Sequence, residues 1–395
     1  MFAVITLLLP ASPRLFQVQF AYRMASGLII TRTAPFSFGT IGDNTQFGSL
    51  SGFVGCQIIG VPPFYHSEAA ALKVDTRMDT LPLFGLLIRH NFAALDGSRY
   101  STNLMHIIYF LQAQIAKLLL SIYKMAGLRV GSWLGGQLGG ILGRVARERH
   151  IAAANLKQAL PHLSDGEQRL ILDKCWLQLG RVVGEFPHME KIAREAETRV
   201  QIEGAQHVEA ALPNGGPAIF VSGHFSNWEL MMLGIQRLVG KTGSLYRRAN
   251  NPYMEKWIID QRSAFMPVQI PKGSDGARVM IDLLKNDTSL GVLVDQMLGR
   301  GDPIDFFGRA TKAPSASIKL ARRFDIPVIP TVIRRREDGP DKVHFVQHFF
   351  PAIHVPKTEN MQQDIDIAMR QVYDLIEQWI TERPEEWFWQ HNRWK

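Results

Sequence analysis

The spacing of apolar residues changes character three times along the chain. Residues 1–104 keep no sustained period. Glycine- and phenylalanine-rich stretches such as Phe36-Ser37-Phe38-Gly39 and Gly48-Ser49-Leu50-Ser51-Gly52 interrupt every run. The opening apolar run to Pro10 has no basic segment before it, so it makes a poor secretory signal. From His106 to Gly127 the chain is apolar at Ile107, Ile108, Phe110, Leu111, Ile115, Leu118, Leu119, Ile122 and Tyr123, but Gln112, Gln114, Lys117 and Lys124 break the run. A spanning helix needs about 20 mostly apolar residues, and a central lysine is costly there. The pattern therefore predicts a helix lying in a membrane interface, with Lys117 and Lys124 at the level of the headgroups. A buried core helix produces a similar pattern.

Residues 144–192 read as helical, and Ser164-Asp165-Gly166-Glu167 is a capping box that starts one helix. From Arg199 onward short apolar runs alternate with amphipathic ones. Strands are predicted at 218–223, 243–247, 289–294, 327–333 and 342–348. Helices are predicted at 228–239, 252–265, 275–286, 313–324 and 360–382. This order predicts an α/β fold, a sheet with helices on its faces. The chain has no internal repeat and no glycine-rich phosphate fingerprint, and Gly299-Arg300-Gly301 is a turn signal only.

Hydrophobic residues make up 46% of the chain and charged residues 20%, which excludes a disordered protein. Two cysteines, Cys56 and Cys175, give no disulfide framework and no metal-ligand spacing, and His-Glu-x-x-His is absent. Neither a metal nor a cofactor is expected. The net charge is +8, of which residues 1–104 hold +2. The basic excess thus belongs to the later part, where it suits anionic lipid or an acidic protein. No nucleic-acid motif accompanies it, and Arg334-Arg335-Arg336 reads as the end of a strand at a turn.

Candidate chemistry gathers around His224-Phe225-Ser226-Asn227-Trp228-Glu229. The predicted strand ends at His224, and Glu229 falls in the first turn of the following helix, which Ser226 or Asn227 can cap. Open α/β sheets carry their sites at such strand ends. A carboxylate kept ionised near a helix N-terminus can orient an imidazole and stabilise its charged form, which makes His224 a candidate general base. Histidine and glutamate five positions apart also occur by chance in many proteins. Arg247 follows another predicted strand, and an arginine fork suits phosphate or carboxylate. Asp295-Gln296 ends a third strand, on the same sheet edge if the strands are parallel. No Gly-x-Ser-x-Gly nucleophile elbow is present.

These blocks occur in a telling order: Gly223-His224-Phe225, Glu229, Tyr246-Arg247-Arg248-Ala249-Asn250-Asn251-Pro252, Val294-Asp295-Gln296, Phe306-Phe307-Gly308, then Trp387-Phe388-Trp389-Gln390-His391-Asn392-Arg393. From about Met105 to the end, the chain resembles the lipid A biosynthesis acyltransferases, the lauroyl/myristoyl transferase family. Arg248 departs from the proline that the family pattern implies. The resemblance implies a glycerolipid acyltransferase-like fold with a mixed sheet and an N-terminal membrane helix. It implies His224 and Glu229 as the catalytic pair, and a cleft holding Arg247, Asn250, Asp295 and Gln296. It implies transfer of an acyl chain from acyl carrier protein to a lipid A precursor, at the cytoplasmic face of the bacterial inner membrane. Residues 105–395 would then be the acyltransferase domain, with 105–127 its membrane-associating helix. Residues 1–104 would be an extension, through a start codon assigned too early or as an accessory segment. The same pair of residues also fits an enzyme acylating another glycolipid or a lysophospholipid, and a non-catalytic membrane-binding homologue keeps the scaffold.

Overall fold

The computed structural model describes Gln19–Arg23, Ile29–Thr33 and residues 99–395 except 337, 339–341 and 395. The opening apolar run and the glycine-rich stretches of the first 52 residues lie outside the described residues. The chain divides into two units. In the first, residues 12–100, strand β1 (Gln19–Arg23) pairs antiparallel with β2 (Ile29–Thr33). The second carries residues 101–395.

Three helices open the second unit: α1 (Arg99–Gly143), α2 (Glu148–Ala159) and α3 (Asp165–Glu185). The Ser164 capping box forms as the sequence predicts, with Ser164 and Glu167 each bonding the other's backbone N–H. Short turns α4 (Met189–Arg194) and α5 (Ala196–Arg199) lead to β3 (Val200–Glu203), α6 (Ala205–Ala211) and β4 (Ile219–Ser222). Then follow α7 (Met231–Val239), β5 (Thr242–Tyr246), α8 (Pro252–Ser263), β6 (Val268–Pro271), α9 (Ser274–Lys285) and β7 (Ser289–Leu293). A hairpin of β8 (Asp302–Phe306) and β9 (Arg309–Ala313) precedes α10 (Ala316–Phe324), β10 (Val328–Arg336), β11 (His344–Phe349) and α11 (Met361–Glu382).

Seven strands form one mixed sheet in the order β3-β11-β10-β4-β7-β5-β6. The five from β10 to β6 are parallel, whereas β11 pairs antiparallel with β10 and carries β3 with it. Alternation along β4 fills both faces: Phe220 enters one core, Ile219 and Val221 the other, all buried. The first core lies under α1, α3, α7 and α8, the second largely under α9, α10 and α11. Beyond the predicted strands, the structure adds β3, β6 and the β8–β9 hairpin. The hairpin turns at Phe307 and Gly308, both at positive φ, over the Phe306–Arg309 pair.

Helix α1 is two stretches meeting at Gly127, whose φ of 80° leaves the helical region. In the first stretch Ala113, Ala116, Leu120 and Tyr123 are buried, while Leu104, Ile107, Leu111, Ile115, Leu118 and Ile122 form an exposed apolar stripe. In the second, Gly131, Gly135 and Gly139 stack one turn apart against Gly180 and Gly184 of α3. A Cβ on Gly180 would land on the Gly135 carbonyl, and one on Gly184 on that of Gly131. The two backbones touch, so no larger residue fits at either position.

Where α1 and α3 cross, a buried ion pair locks them to the sheet. Glu185 and Arg335 each expose 0% of their side chains and meet at 2.8 and 3.0 Å. Ser132 of α1 donates to Glu185 at 2.6 Å, and Arg335 donates to Gln178 at 2.9 Å while lying over the Phe345 ring. The arginine run does end a strand, but Arg334 and Arg335 are buried rather than part of a basic surface.

Gly180→Val should destabilise the protein by about 1–3 kcal/mol through forced separation of α1 and α3. Gly140→Ala, whose Cβ meets open space, should instead be neutral or stabilising by up to about 1 kcal/mol from helix propensity. Unfolding midpoints of both variants in detergent check the crossing, and equal midpoints would contradict it.

Candidate functional site

The carboxyl ends of β4, β7, β5 and β6 share one edge of the sheet, and the candidate residues of the sequence lie just beyond them. After β4, Gly223 turns the chain into His224. A Cβ on Gly223 would lie 2.7 Å from the Phe225 ring and 3.1 Å from Asp295 Oδ2. Glycine here lets the Asp295 carboxylate, two residues past the end of β7, come directly against the turn.

Asp295 is buried and takes three donors. Its Oδ2 accepts the His224 backbone N–H and the Trp387 indole N–H, both at 2.8 Å. Its Oδ1 meets His224 Nδ1 at 2.7 Å. Burial alone would raise the carboxyl pKa, but the charge and hydrogen bonds of His224, joined by Trp387, hold it down at about 2. An ionised carboxylate on Nδ1 fixes the proton there in the neutral ring, so Nε2 presents its lone pair. The Gln296 amide nitrogen faces that Nε2 at 3.3 Å. Trp228 and Phe388 flank the ring, with centroids 5.3 and 6.0 Å away.

The expectation that Glu229 orients the imidazole is corrected here. Both Glu229 oxygens are taken by Arg262 of α8, at 2.7 Å each. Burial pushes the Glu229 carboxyl up, yet the Arg262 guanidinium outweighs it and holds the pKa below the ordinary value. His224 still contributes to that lowering, so the two groups remain within electrostatic reach. The expected side-chain cap is also not made. Residues 228–230 form a 3-10 turn, Ser226 sits at φ 48°, and the Asn227 side chain donates to Glu185 at 2.8 Å and accepts no N–H of the helix.

Arg247 and Asn250 come together as neighbours: Arg247 Nη2 donates to Asn250 Oδ1 at 2.9 Å, and both side chains are exposed. Next to them Asn251 caps α8 through the Tyr253 N–H and also bonds the Tyr109 carbonyl of α1 at 2.7 Å. Strand pairing sets Lys272, which follows β6, beside Arg247, with the Lys272 N–H on the Tyr246 carbonyl at 2.8 Å. Lys272 is exposed, and Asp295 and Arg247 act on its ammonium with opposite signs. Among the described residues neither Arg247 nor Lys272 has a carboxylate partner. Arg309 and Lys312 stand exposed on β9.

Sequence reasoning missed Lys272 and Arg262, and it left the C-terminal aromatic segment without a role. The structure laces that segment to the histidine turn. Phe225 bridges to Trp387, the Ser226 N–H reaches the Glu386 carbonyl at 2.8 Å, and the Phe388 N–H reaches the His224 carbonyl at 3.0 Å. Arg393 is buried over the Phe306 and Tyr373 rings, and its guanidinium donates to Thr311 and to the Lys312 carbonyl. His391 Nε2 accepts the Met297 N–H at 3.2 Å, a structural contact beside Gln296.

Comparison with known proteins bears on this arrangement. Residues 98–395 match the family model described as bacterial lipid A biosynthesis acyltransferase. A lipid A biosynthesis acyltransferase of Haemophilus influenzae is 23% identical over 276 residues, covering 67% of this chain and 79% of the relative. A phosphatidylinositol mannoside acyltransferase of Mycobacterium tuberculosis is 29% identical over 158 residues, 38% of this chain and 49% of that protein. Among solved structures, a 1-acyl-sn-glycerophosphate acyltransferase from Thermotoga maritima aligns over 71% of this chain with a TM-score of 0.33 and 14% identity. With three quarters of its length matched by the family model, this chain is an acyltransferase and belongs to the bacterial lipid A biosynthesis acyltransferase family.

Proposed function

We propose that the protein moves a fatty acyl chain from the thioester of acyl carrier protein to a hydroxyl of a lipid A precursor, in lipopolysaccharide synthesis at the cytoplasmic face of the bacterial inner membrane. The observation that carries this reading is the His224 imidazole, held by Asp295 at 2.7 Å with Nε2 turned away from the carboxylate. The acceptor hydroxyl gives its proton to Nε2 as its oxygen attacks the thioester carbonyl carbon. The intermediate then collapses, and the leaving thiolate takes that proton. Asp295 stabilises the imidazolium between these two steps. Glu229, paired with Arg262, fixes the turn after the histidine and adds a second negative charge within reach of the ring.

Arg247 is assigned to a phosphate of the acceptor, with Asn250 holding its fork in place. The relatives' names, lipid A and phosphatidylinositol mannoside, favour a glycolipid acceptor. The exposed Arg309 and Lys312, with Lys272, suit an acidic carrier. Membrane attachment is assigned to α1. Its stripe from Leu104 to Ile122 faces away from the protein while Ala113, Ala116, Leu120 and Tyr123 are packed inside it. A helix with one side committed to the protein supports an interfacial position more than full immersion, although α1 is long and apolar enough to cross a membrane. Residues 105–395 are taken as the catalytic part and 1–104 as an extension.

His224→Ala should lower transfer about 10²–10⁴-fold, the reach of general-base catalysis. Asp295→Asn should approach the same loss. Glu229→Gln should instead appear mainly as lost stability, about 3–5 kcal/mol for a buried pair missing one partner. Rates and unfolding midpoints measured together separate the two carboxylates, and full transfer by folded His224→Ala protein would sink the mechanism.

Arg247→Ala should weaken acceptor use by roughly 1.5–3 kcal/mol, seen as a raised apparent acceptor KM with donor use unchanged. Arg247→Lys should restore only part, because an ammonium cannot form the bidentate fork. A defect seen only when donor is varied would reassign Arg247 to the carrier or acyl site.

Ile115→Glu combined with Leu118→Glu should shift the protein from the membrane to the soluble fraction while leaving the buried face of α1 intact. Unchanged fractionation through salt and carbonate washes would place the anchor elsewhere.

A further inference from the structure

The His224–Asp295 pair supplies a base, but acyl transfer also places negative charge on the carbonyl oxygen, and that charge needs a fixed donor. The main-chain N–H groups around the imidazole are largely committed. That of His224 goes to Asp295, Phe225 to the Gly223 carbonyl, Ser226 to the Glu386 carbonyl, Met297 to His391 and Phe388 to the His224 carbonyl. The Gln296 side-chain amide is different. It is half-buried and points at Nε2, the nitrogen where the reaction takes place, 3.3 Å away. Its orientation follows from the ring: Nε2 offers a lone pair, so the atom facing it must be the amide NH₂ rather than its oxygen.

We infer that Gln296 is the oxyanion donor of the acyl transfer. This rests on the reading of His224 as the base for attack on a thioester. In the free enzyme the amide hydrogen bonds to Nε2. An acceptor hydroxyl arriving at Nε2 displaces it. The hydroxyl oxygen bonds to the carbonyl carbon, the hydroxyl proton goes to Nε2, and the carbonyl π pair moves onto oxygen. The attacking oxygen and the oxyanion sit on the same carbon, so a donor displaced from Nε2 is already beside the developing charge. When the oxyanion re-forms the carbonyl, the C–S bond breaks and the thiolate takes the proton from Nε2, leaving ester and thiol. Gln296 neither gains nor loses a proton. The preceding residue, Asp295, is clamped by three donors, which fixes the backbone from which the amide reaches.

The test uses full-length protein in detergent, with a long-chain acyl thioester as donor and two acceptors. One is a phosphorylated glucosamine-disaccharide lipid. The other is hydroxylamine, which needs no acceptor site. Gln296→Met removes the donor at similar length, and Gln296→Glu puts an anion in its place. Loss of one oxyanion donor typically costs about 10²–10³-fold in kcat, so Gln296→Met should lose that much with both acceptors, at unchanged apparent KM. Gln296→Glu should lose at least as much. Unfolding midpoints matching the wild type establish that both variants fold, and either variant alone suffices for the comparison. A loss confined to the lipid acceptor, or a raised acceptor KM at unchanged kcat, would make Gln296 an acceptor-positioning residue and overturn the assignment. So would undiminished kcat. Wild-type protein that acylates neither acceptor would sink the reading of the site itself, a result distinct from active wild type with unaffected Gln296 variants.

Discussion

The buried pair between Glu185 and Arg335 is the constraint on which the rest of the structure hangs. Two charges removed from water cost several kcal/mol each unless their hydrogen bonds are nearly all met. Here Glu185 takes both arms of Arg335 together with Ser132 and Asn227, and Arg335 also serves Gln178 and lies over Phe345. These partners belong to α1, α3, β10, β11 and the histidine turn. The glycine contact of α1 with α3 brings Ser132 into range, so a packing constraint and an electrostatic one meet at the same crossing. The turn that carries His224 is thereby tied, through Asn227, to the first core of the protein.

The site's own order comes from Asp295. A carboxylate with donors from a main-chain N–H, an imidazole and an indole has little freedom left, and its ionised state is secured by those contacts. The imidazole is then fixed both in tautomer and in direction. Trp228 and Phe388 close its sides with apolar surface, which strengthens the interaction with Asp295 by keeping water away.

Local pattern made much of this legible before any coordinates. The strands at 219–222, 289–293 and 328–336 stand within a few residues of where periodicity places them, because buried parallel strands are built around continuous apolar segments. The strands β3 and β6 are only four residues long, each broken by a glutamine at its second position, so only their partners define them. The same limit governed the site. Spacing offered Glu229, five residues from His224, as the imidazole's partner. The sheet supplied Asp295 from 71 residues away, a pairing fixed by the β4–β7 register. Asn227 looks like a cap from its neighbours alone, but its amide N–H is held by the buried Glu185 carboxylate, a partner 42 residues away. Arg262 and Lys272 carried no signal, since their meaning comes from Glu229 and from the strand beside Arg247. The aromatic segment after Arg383 was visible as a motif, yet its role depends on contacts to residues near 224 and 295.

Those contacts set an order of assembly. Asp295 lies 71 residues from His224 and 92 from Trp387, and loop closure over such spans comes late in folding. The central sheet must close before the carboxylate meets the imidazole, and the aromatic segment must dock before the carboxylate has all its donors. A partly folded chain therefore has the His224 ring without the carboxylate that orients it. The geometry of the histidine turn is thus a product of the whole fold, completed by residues that its own local sequence does not contain.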